Sequence, residues 1–455
     1  MSTHMLEVNG RQLLARDSGH VSNSSDWFTV TGVCLVVWLT VFATFTLPGR
    51  GHLAAGEIDM VAKIKIASRL FSIMLLGWLV FAELRKEYVL AIVTRYWLWG
   101  LFVGWAILST LWSPLRATSL GQAAGQLLLM LLSMSIAICS RRRANIDRIA
   151  FHSLVAIGFY CLIYGVGGLF IGNAETLSRS SENQFVHPTA LAAAAGLGCL
   201  LATCLITMSN NMNLKAASLL VLPVLLIALI AAHNRTSLLI TPVLCVLVIV
   251  VRGKSHLLAA GSLVIAFCGT LYLTVDPGFV AVEQALGSSV QFLERGQSTS
   301  EITELSGRAE MWSKMWKSYL EAPLIGHGYM VCSASGTLYV WYSEMNHTAH
   351  NVVLQALVST GFIGATIYIL WNLNVLVMLG SCVRYARNDS LVPVTVVAVG
   401  VWFAIWCMLN ESMLGPVRPE SVVYALAVGL VVGQFHFYRT NTDSNSASSV
   451  MEENK

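Results

Sequence analysis

Gly307-Arg308-Ala309-Glu310-Met311-Trp312 opens, and His350-Asn351-Val352-Val353-Leu354-Gln355 closes, the one long polar interval between otherwise apolar runs. Inside it lie a helix-like segment, Arg308 to Tyr319, and a breaker cluster, Ala322-Pro323-Leu324-Ile325-Gly326-His327-Gly328. Just beyond it, Gly361-Phe362-Ile363-Gly364 interrupts the next apolar run. Outward from this interval, apolar runs recur from Trp27 to Tyr438, many reaching the roughly 20 residues that a membrane-crossing helix needs. The chain of 455 residues is 56% hydrophobic and only 11% charged, with mean hydropathy +0.67. A soluble domain carries about 25% charged residues. The expected fold is an all-α integral membrane protein of about twelve transmembrane helices, with one long loop that contains an amphipathic helix.

The spans fall near 28–47, 66–83, 95–112, 120–139, 149–170, 188–207, 216–232, 236–251, 257–275, 351–382, 391–409 and 419–438. This divides the chain into a polar leader 1–26, nine helices over 27–275, a loop over 276–349, three helices over 350–438 and a polar tail 439–455. Leader and tail are rich in Ser, Asn and Thr and read as disordered. The first apolar run is too long for a signal-peptide core. The span near 351–382 has the length to contain a broken or re-entrant first part, hinged at Gly361 or Gly364. Nine of the ten cysteines lie in or beside spans and Cys332 stands alone in the polar interval, so no disulfide is expected there.

Lys and Arg in short loops mark the cytoplasmic side. Arg141, Arg142, Arg143 and Arg148 form the densest cluster. Alternation then puts Arg85 and Lys86, Lys215, Arg252 and Lys254, and Arg384 and Arg387 on that side, with both termini. The interval 276–349, with four Lys or Arg, falls outside. Lys63, Lys65 and Arg69 dissent from this topology. The net charge of +4 is small, and a nucleic-acid partner is not expected.

Polar residues of interest then collect on the outer side. His187 precedes Pro188, a residue suited to a first helical turn, and is either a site residue or a solvated loop residue. Asn234-Arg235-Thr236 joins two apolar helices through a tight turn with no acid in it. Its Arg either faces a polar cavity or snorkels to headgroups. In 308–320, Met311, Trp312, Met315, Trp316 and Tyr319 share one helical face, and Glu310 with Lys314 is an i, i+4 pair. Such a helix suits a membrane surface or a lid. His350 heads a stripe through Leu354, Leu357, Gly361 and Gly364. Asn410, Ser412, Arg418 and Glu420 read as a structural cluster.

These residues resemble the O-antigen ligase and polymerase superfamily, bacterial polytopic glycan transferases. The resemblance rests on Gly307-Arg308-x-x-x-Trp312, Pro323-Leu324-Ile325-Gly326-His327-Gly328-Tyr329, and His350-Asn351-x-x-Leu354 with Gly361-x-x-Gly364. Trp112-Ser113-Pro114, Phe185-x-His187-Pro188 and Asn234-Arg235-Thr236 add to it. Ala365 and Thr189-Ala190-Leu191-Ala192 depart from the pattern of many ligases, and the motifs do not separate ligases from polymerases.

The resemblance implies transfer of a glycan from undecaprenyl diphosphate to an acceptor: a glycan or lipid A-core hydroxyl, or a pilin Ser or Thr in one branch. It places the protein in the bacterial inner membrane, with its active site on the periplasmic face. The leaving group is a lipid diphosphate, and Arg is suited to grip its oxygens bidentately. Arg235 and Arg308 are assigned that role, with His187 a lesser contributor. His350 is the expected general base, with Asn351 orienting it or the acceptor and Asn234 beside Arg235 as a binding residue. The outer loops carry no acidic metal-binding motif, so a metal- and cofactor-independent single displacement is expected. A polymerase is the near alternative and a transporter of similar span number the distant one.

Overall fold

The computed structural model describes residues 24–45, 60–171, 188–254, 257, 308–336, 339–340, 344–345, 349–385, 391–410, 412–414 and 417–453. The described chain is helical apart from a small antiparallel ribbon, β1 (Tyr339–Val340) paired with β2 (Glu344–Met345), in which Tyr339 faces Met345. Helices α1 (Ser24–Phe42) and α2 (Met60–Glu83) are followed by a bent pair, α3 (Glu87–Arg95) and α4 (Trp97–Leu108). Then come α5 (Arg116–Cys139), α6 (Arg143–Cys161), a π turn over Leu162–Val166 and α7 (Gly167–Ile171). Next are α8 (Pro188–Met208), α9 (Met212–Ala231) and α10 (Arg235–Val251). The polar interval holds α11 (Arg308–Glu321), and α12 (Val352–Tyr385), α13 (Leu391–Cys407) and α14 (Pro419–Glu453) complete the chain.

Among the described residues, seven helices are long and apolar enough to cross a membrane, or eight if the pair bent by 56° at α3 and α4 forms one span. This is a multi-pass helical membrane protein. The expected twelve spans are not all of that length. Thr29–Phe42, Arg235–Val251 and Pro393–Cys407 are shorter apolar stretches among the described residues. Every expected span overlaps one of these helices except 257–275, which lies outside the described residues beyond 257, as does most of the leader. The tail expected to be disordered has helical backbone to Glu453, since extending a formed helix is far easier than nucleating one. Lys63, Lys65 and Arg69 stand on α2 rather than in a loop, and Arg69 turns toward a crevice shared with Thr40, Ser72 and Val417.

The bundle is built around α8. Its Ala-rich run from Ala190 to Ala195 is buried on all sides, and small side chains let neighbouring backbones come close. It packs on α6, α9, α10 and α13. Trp402 of α13 reaches α10, its indole N–H donating to Thr241 Oγ1 at 3.1 Å.

One helix is interrupted. Gly361 takes φ 66° and ψ −172° inside α12 and divides it in two, so the hinge falls on the first of the two glycines expected to supply it. A break at this depth strands carbonyls below it and N–H groups above it, each costing several kcal/mol in hydrocarbon if unpaired. The breaker cluster pairs them. His327 and Gly328 donate N–H to the carbonyls of Val358 and Ser359 at 3.0 and 2.9 Å. On the other side of the break, Phe362 and Ile363 donate to the carbonyls of Pro323 and Leu324 at 2.7 and 3.2 Å. Trp105 of α4 donates its indole N–H to the Thr360 carbonyl at 3.0 Å.

Two backbones this close leave no room for side chains. A Cβ on Gly361 would collide with the Leu324 carbonyl, and one on Gly326 with Gly361 N and Ser359. Both residues also have positive φ, which costs an L side chain about 1–2 kcal/mol before any clash. Gly361→Ala and Gly326→Ala are each expected to destabilise the protein by on the order of 3 kcal/mol, the sum of left-handed strain and overpacking. Gly380→Ala, at a site with open space around it, is expected to leave the unfolding midpoint in detergent within a degree or two of wild type.

Candidate active site at the break in α12

The first half of α12 begins with a cap. Asn351 Oδ1 accepts the Leu354 N–H at 3.0 Å, and Asn351 Nδ2 donates to the Met408 carbonyl at 3.2 Å, just past the end of α13. The preceding residue, His350, is half-buried and has φ 46°. Ala349, before it, is held on both sides. Its N–H donates to Gln355 Oε1 at 2.7 Å, and its carbonyl accepts the Trp312 indole N–H at 2.9 Å. Gln355 is itself buried and donates to Ser359 Oγ at 2.7 Å. The His350 backbone is thus fixed from α11 on one side and from α12 on the other.

The sequence allowed α11 to lie on a bilayer or act as a lid. Instead, its Met311 and Met315 are fully buried against Cys332, Ala349 and Val358, with Trp312, Tyr319 and Leu354 packed around them. Trp316 and Leu320 remain exposed. The C-terminal part of α11 is tied to the breaker loop: Ser318 Oγ donates to the Cys332 carbonyl at 2.7 Å, and His327 Nε2 lies 2.7 Å from the Ser318 carbonyl. His327 is therefore structural. Past the loop, Tyr329 donates its N–H to Ser109 Oγ at 2.9 Å and its hydroxyl to the Leu414 carbonyl at 2.6 Å. Burial pushes its phenol far above the ordinary value. A Cβ on Gly328 would strike Ser113, whose Oγ lies 2.7 Å from Ser119 Oγ. The Trp112-Ser113-Pro114 turn is thereby a seat for the loop.

Arg235 starts α10, and Asn234 caps that helix by accepting the Ser237 N–H at 3.1 Å. The Nε and Nη2 of Arg235 are buried and have no hydrogen-bond partner among the described residues. Arg235 and His350 open their helices at the same end of the bundle. From that end α10 descends to Thr241, which Trp402 holds, and six residues past Trp402 the Met408 carbonyl receives Asn351. Left-handed φ at non-glycine residues occurs, among the described residues, at His233, Met330 and His350. One lies two residues before Arg235, one in the loop and one at the expected base. Such strain gathers where the surrounding structure over-determines a position.

Arg308 begins α11 as expected, but only its backbone is described, and His187 lies outside the described residues. Asn410, Ser412, Arg418 and Glu420, read as a structural cluster, lie at the end of α13 and the start of α14. Glu420 is fully buried, accepts from Ser412 Oγ at 3.2 Å and lies 4.0 Å from Arg418, while Trp406 donates its indole N–H to Ser412 Oγ. Sequence reasoning missed Trp312 and Gln355 as the residues that hold His350. Gln355 had a signal, a polar side chain one turn inside an apolar span. Trp312 had its place on an apolar face and in the Gly307-Arg308-x-x-x-Trp312 motif.

A membrane protein with a helix broken inside the bundle and a His and an Arg at one end of it is the class that this geometry defines. Residues 218–369 match the family model described as O-antigen ligase. The match supports membership of the O-antigen ligase and polymerase superfamily. It spans Arg235, all of α11, the breaker loop, His350 and the break at Gly361. No curated protein matches the chain.

Gln355→Leu keeps the volume near α12 but leaves the Ala349 N–H unpaired, and is expected to cost about 1–3 kcal/mol. Asn234→Ala removes a cap and is expected to cost about 1 kcal/mol. Denaturant or thermal unfolding in detergent measures both.

Proposed function

We propose that this protein transfers a glycan from undecaprenyl diphosphate to an acceptor hydroxyl on the periplasmic face of the inner membrane. The observation that carries this reading is Arg235, whose buried Nε and Nη2 lack protein partners among the described residues, at the same end of the bundle as His350. A guanidinium in that condition is suited to a bidentate phosphate ligand.

His350 accepts the proton of the acceptor hydroxyl as the oxygen attacks the anomeric carbon. The new C–O bond forms as the bond from that carbon to the diphosphate oxygen breaks, and the undecaprenyl diphosphate leaves with the electron pair. A single displacement of this kind inverts the anomeric carbon. Arg235 and Arg308 neutralise the charge that develops on the leaving group, with His187 contributing beside them. Asn234 and Asn351 act as positioning residues by capping the helices that present Arg235 and His350. With two guanidiniums on the diphosphate, the scheme requires no metal ion.

Acceptor identity separates ligase, polymerase and pilin transferase. Purified protein would be given undecaprenyl diphosphate-linked repeat units alone, with lipid A-core, or with a Ser-containing pilin peptide, and products sized by mass. A ladder on the carrier marks a polymerase, product only on lipid A-core a ligase, and glycosylated peptide a pilin transferase. His350→Ala is expected to lose at least about 10²-fold in rate, the scale of general-base catalysis. Arg235→Lys, which keeps the charge but not the fork, is expected to lose about 10²-fold. Wild-type rates in both variants sink the assignment of these residues. No transfer to any acceptor favours the transporter alternative, which also uses broken helices.

A further inference from the structure

The three cations that dissent from the charge pattern, Lys63, Lys65 and Arg69, stand on α2. The apolar stretch Lys63–Glu83 is long enough to cross the membrane, and Arg69 lies six residues, about 9 Å, in from its Lys63 end. An ionisable side chain at such a depth faces a cavity or a partner, or snorkels to the headgroups. Lys65, Arg69 and Ser72 follow at i, i+4 and i+7 and share one face of α2, a helix that packs on α1 and α5.

The crevice that Arg69 enters is walled by Leu39 and Thr40 of α1, Ser68 and Ser72 of α2, Leu128 of α5, and Val417. Among the described residues no carboxylate lines it. Two polar atoms there are orphaned. Arg69 Nε is buried with no hydrogen-bond partner among the described residues, and so is Thr40 Oγ1, on a side chain only 2% exposed. A snorkelling arginine keeps its charged head in water, whereas this Nε is turned inward between helices. A guanidinium has donors only, and a hydroxyl has an O–H to give. Left unmade, buried donors of this kind are costly. The pair requires an acceptor, and the charge of Arg69 favours an anionic one.

Val417 fixes where the crevice lies. It belongs to the segment between α13 and α14, whose Met408 carbonyl receives Asn351 and whose Leu414 carbonyl receives Tyr329. A Cβ on Gly125 of α5 would come within 2.9 Å of Val417. The crevice is thus at the His350 end of the bundle, and no residue assigned to glycan transfer lines it. On the same turns of α2, Leu70, Phe71 and Met74 are exposed, an apolar surface suited to acyl or prenyl chains.

We propose that Arg69 and Thr40 bind the phosphate of a membrane lipid. Its oxygens accept from the Arg69 guanidinium and the Thr40 hydroxyl, while its chains lie along Leu70, Phe71 and Met74. Such a phosphate belongs to an anionic phospholipid or to a polyprenyl phosphate, and both present the same acceptors. This site is independent of the glycan-transfer reading.

Full-length protein in dodecyl maltoside, a detergent without phosphate, is titrated with phosphatidylglycerol, with undecaprenyl phosphate, or with dioleoylglycerol as the phosphate-free lipid. The unfolding temperature is followed, and native mass spectrometry counts the lipids retained. At least one phosphate lipid is expected to raise the unfolding temperature by several degrees where dioleoylglycerol does not. Arg69→Gln is expected to lose most of that rise and one retained lipid per chain. Arg384→Gln, an exposed arginine on α12, is expected to keep both. A rise with phosphatidylglycerol alone identifies a phospholipid headgroup, with undecaprenyl phosphate alone a polyprenyl phosphate, and with both a site open to either. No rise with either, the same rise with dioleoylglycerol, or a rise that Arg69→Gln retains in full overturns the proposal. Should Arg69→Gln fail to fold, Thr40→Val removes the hydroxyl and keeps the shape, and a several-fold weaker titration is expected. An unchanged titration there overturns the proposal equally.

Discussion

The pairing of the stranded backbone groups at Gly361 is the constraint on which the rest of the structure depends. A helix broken inside an apolar bundle is tolerated only where other protein groups take its carbonyls and N–H groups. Residues 323–328 do this from both sides of the break. That requirement explains why Pro323, Gly326 and Gly328 precede a span they are not part of. Proline fixes an approach angle, and the glycines let the loop backbone lie against the backbone of α12. It also explains the position of α11. Ser318 and His327 tie the helix to the inserted loop, so the helix is drawn onto α12 and buries Met311 and Met315 there.

The family-like motifs divide by physical role. Trp112-Ser113-Pro114, the Pro-Leu-Ile-Gly-His-Gly run and Gly361 assemble the break and have no free chemistry of their own. His327 is a structural histidine, buried and bonded to Ser318. Asn234 and Asn351 cap helices. His350 and Arg235 remain as the residues proposed to react, each beside a capping Asn at the head of a helix. A rigid scaffold that presents a base within a fraction of an ångström of its working position is what proton abstraction demands. The Ala349 clamp of Trp312 and Gln355 fixes the backbone next to His350, the proposed base.

The two ends of the bundle carry different electrostatics. Around His350 and Arg235 the polar groups are few, strained and largely committed to backbone. At the far end of α5 the cations crowd, with Lys86 and Arg142 at helix N-termini.

Local rules made much of this legible. Apolar run lengths gave the helices. The start of α11 at Arg308 followed from periodicity and the preceding glycine. Each of these is decided within a few residues of sequence. What tertiary structure decided is where non-local groups meet. Trp105 and Thr360 are 255 residues apart and Gln126 and Met413 are 287 apart, yet these pairs brace the break and the segment between α13 and α14. Whether the apolar face of α11 met lipid or protein, and which side chains would hold Ala349, were set by packing. Hydrophobic patterning specifies that a face must be covered. It does not specify by what, because burial is non-directional and the covering surface is chosen by the close fit of the whole bundle.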